Sequence, residues 1–492
     1  MTTMKNNCSA TCSIDVTDKQ DSAQNLSEKQ RIVLISPYDL GRQPFALAEP
    51  AALFSQAGYE VKCLDLSQQK LTTEVLAPAT TIFLYLSMLT ATRIAIEAMP
   101  RIKKMAPQAR IAVFGWYAPV NEQYLRELGV DAVFGGESED DMLAYIASIT
   151  DEDDHPARTE TVVNLKRINF LVPDRKLLPA LEKYAQLVLP DGSKRIMGFT
   201  ETTRGCKHLC RHCPVVPVYK GRFYAVPAGI VLEDIRQQLA KGAEHISFGD
   251  PDFLNGPRHA RRIIKAMHEE FPKLSYDAVI KIEHIIKYPE FLLLLRDSGC
   301  ILVTTAAESV DNRILERLEK GHTAEDFEKV VTMMDEHNIA LAPTFIPFTP
   351  WTTIDNYINL LNKIAELKLI MSVNPVQLSL RLLIPNGSRL LELPKEETCI
   401  TDFKPASLGY TWVHNDPQLD LLQENIRHWT EKAENDGLSR LQIFNGIRRI
   451  ALKVAGRNAV DVAEAHCGNT IPTHSESWYC CAEPTEQQLT SF

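Results

Sequence analysis

The stretch Arg204-Gly-Cys-Lys-His-Leu-Cys-Arg-His-Cys-Pro214 decides how the rest of this chain is interpreted. It places three thiols at spacings of four and three residues inside one loop. Soft thiolates bind iron–sulfur clusters, zinc or Cu(I), and a [4Fe–4S] cluster normally takes four cysteine ligands. Cys206, Cys210 and Cys213 therefore predict a cluster in which one iron keeps an open coordination site for chemistry.

A structural zinc site is the alternative for the same loop, with His208 or His212 completing the set of ligands. Structural zinc sites usually combine two separated pairs of Cys or His ligands. No second pair of that kind lies nearby in the sequence. The pattern favours an iron–sulfur cluster, and zinc stays open as the second interpretation.

The Cys-x3-Cys-x2-Cys pattern resembles the signature of the radical SAM superfamily. In those enzymes S-adenosylmethionine (SAM) chelates the fourth iron, and an electron from the cluster splits a carbon–sulfur bond to give a carbon radical. The resemblance implies a [4Fe–4S] cluster and SAM as cofactors, with a flavodoxin- or ferredoxin-type electron donor. The residue before the last cysteine is commonly aromatic there and packs on the adenine. Here it is His212, whose imidazole can also stack.

Length, composition and charge narrow the class of protein. The chain has 492 residues, 45% hydrophobic and 24% charged, which is ordinary for a globular protein. A net charge of -10 argues against nucleic acid as the partner. No apolar run of about 18 residues predicts a membrane span, and the N-terminus lacks the apolar segment of a signal peptide. We therefore expect a cytoplasmic protein with no nucleic-acid or membrane partner, whose cysteines serve metal binding or catalysis rather than disulfides.

The part of the chain before the cysteine loop divides into three. Residues 1–30 predict a disordered leader. Residues 31–150 alternate short apolar runs, which begin with the predicted strands Arg31–Ser36 and Glu60–Asp65, with helical stretches, and this predicts a parallel α/β sheet. The turn Gly135–Glu139 resembles that of the cobalamin-binding-type, Rossmann-like domain found in front of many radical SAM enzymes. Cobalamin is thus one option here, and a domain of the same shape without the ligand is the other. Residues 151–195, acidic and then rich in proline, predict a linker.

A second series of strands and helices follows the loop, and its motifs resemble those of the partial (βα)6 radical SAM barrel over residues 196–400. Predicted strands include His245–Gly249, Ser275–Ile282, Ile301–Ala307 and Leu378–Leu383. The resemblance assigns SAM binding to residues at the strand ends and in the loop, namely His212, Gly249, Asp250, Asp252, Glu308, Ser309 and Arg381. A plain βα turn with an Asp cap is the alternative for the aspartates, and an ion-paired strand residue is the alternative for Arg381.

Residues 401–492 predict a helical C-terminal region, with amphipathic helices over Asp420–Lys432 and Arg440–Val454. A cysteine-rich tail follows, which contains Cys467 and the adjacent pair Cys480 and Cys481. Adjacent Cα atoms lie about 3.8 Å apart, whereas disulfides prefer about 4.4–6.8 Å. A free vicinal dithiol is a soft chelator or a redox pair. An exposed tail with two chance thiols is the other interpretation.

The tail Cys-Cys-Ala-Glu-Pro resembles that of the CUAEP/CCAEP-tail radical SAM proteins, a group that includes the radical SAM enzyme of arsinothricin biosynthesis. That resemblance implies transfer of the 3-amino-3-carboxypropyl group of SAM to trivalent arsenic, with release of methylthioadenosine and formation of hydroxyarsinothricin. Cys480, Cys481, Cys467 and Glu483 are then the candidate ligands of arsenite, a thiophilic small-molecule substrate. The alternatives are another radical SAM enzyme, such as a cobalamin-dependent methyltransferase or a peptide-modifying enzyme, and a non-catalytic metalloid-binding protein.

Overall fold

The computed structural model describes residues 30–149, 162–476, 484–490 and 492. Its N-terminal part is a parallel sheet in the order β2-β1-β3-β4-β5-β6. The strands are β1 (Arg31–Ser36), β2 (Glu60–Asp65), β3 (Thr81–Tyr85), β4 (Arg110–Phe114), β5 (Ala132–Gly136) and β6 (Val162–Asn164). The helices are α1 (Phe45–Gln56), α2 (Thr73–Leu76), α3 (Leu89–Met105), α4 (Tyr117–Val120), α5 (Glu122–Glu127) and α6 (Glu139–Ser148). Residues 32–35 of β1 are almost fully buried because helices cover both faces of the sheet.

The strand predictions for this sheet are confirmed, with Arg31–Ser36 and Glu60–Asp65 matching to the residue. The segment 151–195 contributes to both sheets where the structure describes it. Its strand β6 extends the N-terminal sheet beside β5, and β7 (Gln186–Val188) pairs with the barrel sheet. The region between the two sheets is therefore packed against both of them.

The second sheet curls into a half-barrel in the order β14-β13-β12-β11-β8-β7-β17. Strands β8 (Lys194–Thr200), β11 (His245–Phe248), β12 (Ser275–Val279), β13 (Cys300–Glu308) and β14 (Ala340–Phe345) run parallel. A short hairpin, β9 (Thr203–Gly205) and β10 (Phe223–Ala225), brackets the cysteine loop and α7 (Val216–Tyr219). The covering helices are α8 (Ala228–Ala240), α9 (Pro257–Glu270), α10 (Ile282–Lys287), α11 (Glu290–Asp297), α12 (Asn312–Arg317), α13 (Ala324–Glu336) and α14 (Ile354–Glu366).

The predicted strand Leu378–Leu383 is wrong. Residues Pro375–Ser379 form a 3-10 turn, and Arg381 makes an isolated bridge to Phe348, beyond the end of β14. Asn374 starts the turn because its side chain accepts a hydrogen bond from the Val376 amide, and Pro375 suits the first helical position. A short buried apolar run does not by itself distinguish a strand from such a turn.

The C-terminal region begins with α15 (Lys395–Thr398) and the hairpin β15 (Ile400–Lys404) and β16 (Gly409–Trp412). The two predicted helices are confirmed as α16 (Pro417–Asn435) and α17 (Arg440–Val454), which pack on the barrel. The chain then runs back across the half-barrel as β17 (Thr473–His474), antiparallel to β7. Helix α18 (Glu486–Thr490) contacts α3 of the N-terminal domain. Among the described residues we find no helix with the length and apolar character needed to cross a membrane.

Candidate active site

The cysteine loop lies between β9 and α7. Gly205 enters it with a φ of +73°, and a Cβ there would lie 2.3 Å from the ring of Tyr219, so the turn requires glycine. Cys206 and Cys210 are buried, and Cys213 is partly buried. Burial raises the pKa of Cys206 to about 11 and that of Cys213 to about 12. Metal binding by these thiols therefore releases protons.

The surroundings of the thiols suit a negatively charged cluster. The ammonium group of Lys281 lies 3.7 Å from Cys210 Sγ, and the buried Lys320 acts on the same thiols through its charge. A single zinc ion, with Zn–S distances of about 2.3 Å, needs sulfurs about 3.8 Å apart. In the part of the chain that the structure describes, the one trio of candidate ligands whose atoms all lie within 4.8 Å of one another contains no cysteine. The thiol spacing therefore fits a cluster better than a single zinc ion.

Glu308 stands at the carboxyl end of β13 and links the loop to the barrel. Its Oε1 lies 3.1 Å from Nε2 of His212 and accepts a hydrogen bond of 3.1 Å from Nζ of Lys320. Burial opposes ionisation, but the charges of Lys320 and His212 lower the pKa of Glu308 to about 2. Its φ of +63° is rare for a residue with a Cβ. The structure thus holds a fixed, ionised carboxylate beside the residue that precedes the last cysteine.

A cavity of about 350 Å³ lies between the carboxyl ends of the barrel strands and the N-terminal domain. Barrel active sites lie at that edge of the sheet. The cavity brings together these predicted site residues: His212, Cys213, Gly249, Asp250, Glu308 and Arg381. The N-terminal domain contributes a mostly apolar wall that includes Phe45, Tyr85, Met88, Trp116 and Tyr117.

Two of these cavity residues, Asp250 and Arg381, bind other side chains of the protein. The carboxylate of Asp250 accepts hydrogen bonds from the backbone and hydroxyl of Thr202 and from the hydroxyl of Thr203, at 2.6–2.9 Å. Arg381 donates to Oδ1 of Asp420 at 2.5 Å, and its guanidinium lies 3.6 Å from the centre of the Trp412 ring. The ion-paired alternative therefore describes Arg381 in this structure.

Two other predicted SAM-binding residues lie away from the cavity. Asp252 is fully buried and lies between the imidazoles of His208 and His284. The hydroxyl of Ser309 accepts a hydrogen bond of 3.0 Å from the amide of Asp311, which is typical of a turn. The geometry therefore separates these two side chains from the residues around Glu308.

The candidate arsenic ligands fall into two groups. Cys480, Cys481 and Glu483 lie outside the described residues. Cys467 is described and partly buried, and its thiol lies 2.9 Å from the carbonyl oxygen of Glu464. Cys467 packs at the margin of the barrel core rather than lining the cavity.

Arg204 precedes the cysteines of the loop, and the sequence alone predicted no function for it. Its guanidinium contacts the carboxylates of Glu49, Glu137 and Glu139 from the N-terminal domain, and it lies 3.8 Å from that of Glu201. Burial raises the pKa of Glu49 to about 7 and that of Glu201 to about 8. Arg204 therefore fastens the cysteine loop to the N-terminal domain. No sequence periodicity signals such a contact, because these N-terminal partners lie far from it along the chain.

The glycine turns of the N-terminal sheet have a packing explanation. A Cβ at Gly135 would lie 2.3 Å from Pro119, and one at Gly136 would lie 2.2 Å from the carbonyl oxygen of Asn164. At Gly115 it would lie 2.6 Å from the carbonyl oxygen of Leu86. The protein's own atoms occupy the space beside all three glycines. Packing therefore accounts for these glycines without a ligand, and Gly115 and Gly136 also line a small cavity beside the cysteine loop.

One part of the chain matches a known protein family. Residues 200–364 match the family model described as the radical SAM superfamily. A bacteriochlorophyllide d C-12(1)-methyltransferase of Chlorobaculum tepidum is 28% identical over 172 residues, which is 34% of this chain and 35% of that protein. The chain thus spans only about a third of the length of this curated relative.

Two solved structures share the fold. The radical SAM methyltransferase TsrM of Kitasatospora setae superposes with a TM-score of 0.56 at 17% identity, covering 73% of this chain and 75% of its own. The cobalamin-dependent SAM radical enzyme OxsB with aqua-cobalamin bound gives a TM-score of 0.62 at 14% identity, covering 84% of this chain and 68% of its own. A radical SAM domain implies a [4Fe–4S] cluster and SAM, and the three thiols with their lysine neighbours fit that cluster. Residues 200–364 are therefore a radical SAM domain, and the fold of the chain is similar to that of solved cobalamin-dependent radical SAM enzymes.

Proposed function

We propose that this enzyme cleaves the Cγ–S bond of SAM and transfers the 3-amino-3-carboxypropyl group to trivalent arsenic, releasing methylthioadenosine and forming hydroxyarsinothricin. The observation that carries the proposal is the vicinal pair Cys480 and Cys481, followed by Ala-Glu-Pro, in a radical SAM chain. Arsenite is thiophilic, and two adjacent thiols supply two of its soft ligands.

The described residues before the pair contact a segment that adjoins the cavity, which supports the proposal. The amide of Ser475 donates to Gln186 O at 2.8 Å, and the hydroxyl of Tyr38 donates to Glu476 at 2.8 Å. Asp39 and Leu40, next along the chain from Tyr38, line the cavity. Glu476 is the last described residue before the pair, and Cys480 follows it by four residues in the sequence.

The helix after the pair packs on the N-terminal domain. Helix α18 contacts α3, and Leu489 and Phe492 join the hydrophobic core of that domain. Phe492 contacts Arg101 in the second half of α3, whereas the cavity residues Ser87 and Met88 directly precede the other end of this helix. The contacts before the pair, rather than this helix, therefore support the proposal.

The protein's part in this reaction is to bind, orient and exclude water. When bound, the cluster supplies the electron that splits the carbon–sulfur bond. The ionised Glu308, held by Lys320 and His212, presents a fixed acceptor to a hydroxyl or ammonium group of SAM. The apolar wall with Tyr85 and Trp116 keeps water from a carbon radical. The reaction balances overall, because the lone pair of arsenic supplies the new As–C bond, sulfur leaves with the electrons of the broken bond, and the catalytic electron is returned.

Product analysis tests the proposal. Reduced, reconstituted enzyme is incubated with SAM and arsenite, and the products are separated by liquid chromatography with arsenic and nucleoside detection. We expect methylthioadenosine and an organoarsenical in equal amounts. The Cys480→Ser/Cys481→Ser variant should lose the organoarsenical, while Cys399→Ser, a free thiol elsewhere in the chain, should keep it. Formation of 5'-deoxyadenosine without methylthioadenosine or an organoarsenical would overturn the proposal.

Methyl transfer is the second candidate, because the fold matches TsrM and OxsB and a methyltransferase is among the relatives. This reaction would yield S-adenosylhomocysteine rather than methylthioadenosine. Protein expressed with a corrinoid supply and purified under anaerobic conditions would then show corrinoid absorption. Absence of both the corrinoid and S-adenosylhomocysteine would remove this candidate.

A further inference from the structure

Behind the cysteine loop, three side chains from separate segments converge on one point. Asp252 Oδ2, on the turn after β11, lies 2.6 Å from Nδ1 of His284 in α10 and 3.5 Å from Nε2 of His208 in the loop. Asp252 and His284 are almost fully buried, and the side chain of His208 is 14% exposed. All three ligand atoms lie within 4.8 Å of one another.

The hydrogen bonding of the three converging atoms indicates that they bind a cation. Although they approach one another, none of the three makes a hydrogen bond of acceptable geometry with any residue that the structure describes. Buried polar atoms are nearly always hydrogen-bonded, and an unsatisfied one costs about 1–3 kcal/mol. Three such atoms facing one another are explained if all of them direct lone pairs at one cation.

A similar trio in the same barrel serves as an internal comparison. Asp277 Oδ2 lies 2.9 Å from Nε2 of His245 and 3.1 Å from Nε2 of His474, and both contacts are hydrogen bonds. Among the residues described, this second trio does not form a compact ligand set. Two imidazoles and a carboxylate can therefore satisfy one another in this protein, and those around Asp252 do not.

The donor set selects the class of metal. Two imidazoles and one carboxylate suit Zn²⁺, which takes three protein ligands and a water at about 2.0–2.2 Å. Ligand atoms at that distance from a tetrahedral ion lie about 3.3 Å apart. The 3.5 Å between Asp252 and His208 is close to this value, and the 2.6 Å between Asp252 and His284 would have to lengthen by about 0.7 Å. Nδ1 of His208 faces Oε2 of Glu283 at 3.5 Å. Carboxylates in that position commonly orient metal-binding histidines.

We propose that His208, Asp252 and His284 bind one zinc ion, separate from the cluster, which ties the cysteine loop to the barrel. His208 lies between Cys206 and Cys210, so an ion at this point fixes the part of the loop that carries two cluster thiols. The proposal does not depend on which bond of SAM is broken or on the substrate.

Metal analysis of the full-length protein tests the proposal. The protein is purified under anaerobic conditions, loaded with one equivalent of Zn²⁺, dialysed against a weak chelator and analysed for zinc and iron. We expect about one zinc per chain in the wild type, at least a tenfold loss in His284→Ala, and full retention in the matched control His474→Ala. X-ray absorption at the zinc edge should reveal nitrogen and oxygen ligands at about 2.0–2.1 Å and no sulfur at about 2.3 Å.

A second variant separates this ion from the cluster. Cys206→Ala should lose the cluster iron and keep the zinc. Wild-type protein without tightly bound zinc, sulfur in the zinc shell, or equal retention by His284→Ala would each overturn the proposal. Absorption data on the wild type decide the question by themselves if His284→Ala does not fold.

Discussion

Arg175 joins the two domains through a buried ion pair, and its removal tests how the cavity is held together. Its guanidinium donates to both carboxylate oxygens of Asp234 on α8, at 2.6 and 2.9 Å. It also donates to Gln43 Oε1 of the N-terminal domain at 2.8 Å and to Phe199 O of β8 at 2.6 Å. Phe199 lines the cavity, so this one side chain connects the linker, both domains and the active-site wall.

The size of the effect follows from burial. The side chains of Arg175 and Asp234 are 0% and 1% exposed. Removal of one partner from a buried ion pair leaves an uncompensated charge and costs about 3–5 kcal/mol. We therefore expect Arg175→Met to lower the free energy of unfolding by that amount. Arg175→Met/Asp234→Leu should recover most of the loss, because replacing a whole buried pair with apolar side chains is often nearly neutral.

Urea unfolding, followed by circular dichroism and tryptophan fluorescence, measures the difference. The matched control is Arg236→Met on the same helix. Arg236 makes the same two-pronged contact with Glu270, at 2.6 and 2.8 Å, but at the surface. Solvent and salt weaken exposed pairs, so this control should change the urea midpoint little. Equal shifts for Arg175→Met and Arg236→Met would refute the reasoning from burial.

Three further predictions concern the loop and the charges around it. Glu308→Gln should weaken SAM binding about 10–150-fold in a calorimetric titration, because a hydrogen bond to a charged group contributes about 1.5–3 kcal/mol. Glu319→Gln, at an exposed position, is the control. Equal SAM affinities of the two variants would contradict the role assigned to Glu308. Cys206→Ala should abolish bound iron and sulfide, whereas Cys300→Ala, equally buried in a barrel strand, should retain them. Burial raises the pKa of Glu201 to about 8, so its protonated form is favoured in the folded state. Protonated Glu201 stabilises the folded state fully below the pKa of an unfolded glutamate, about 4.3. This stabilisation is lost as the pH rises to about 8. Glu201→Gln should therefore gain thermal stability over the wild type between those pH values, and a constant difference across the range would contradict this.

The sequence predicted what local patterns encode. Residues 32–35 form an unbroken apolar run because both faces of β1 are covered, and that pattern located the strand Arg31–Ser36 to the residue. In Leu378–Leu383 the leucines are interrupted by Ser379 and Arg381, and Pro375 with the Asn374 cap turns the chain before a strand can form. A short leucine-rich segment therefore did not predict a strand as well as an unbroken apolar run did.

Contacts between distant segments could not be predicted. Arg175 lies in a stretch predicted as a linker, and its partner Asp234 is 59 residues away. Arg204 stands beside the cysteines, but its partner Glu49 is 155 residues away. Neither arginine repeats with any period, and a buried ion pair has no local sequence pattern. The motifs located the cluster loop, whereas only the folded chain reveals the charges that hold it against both domains.

The backbone at Glu308 marks this strand end as a site on grounds independent of any motif. A residue with a Cβ at positive φ costs about 1–2 kcal/mol, and such strain persists only where the surroundings over-determine the conformation. Here the register of β13 against β14 also shifts between Ala306 and Glu308. The buried Lys320 and the partly buried His212 hold the side chain that this backbone directs into the cavity. A glycine would relieve the backbone strain and lose the carboxylate. The retained strain therefore indicates that the position of this charge matters more to the protein than the stability it forgoes.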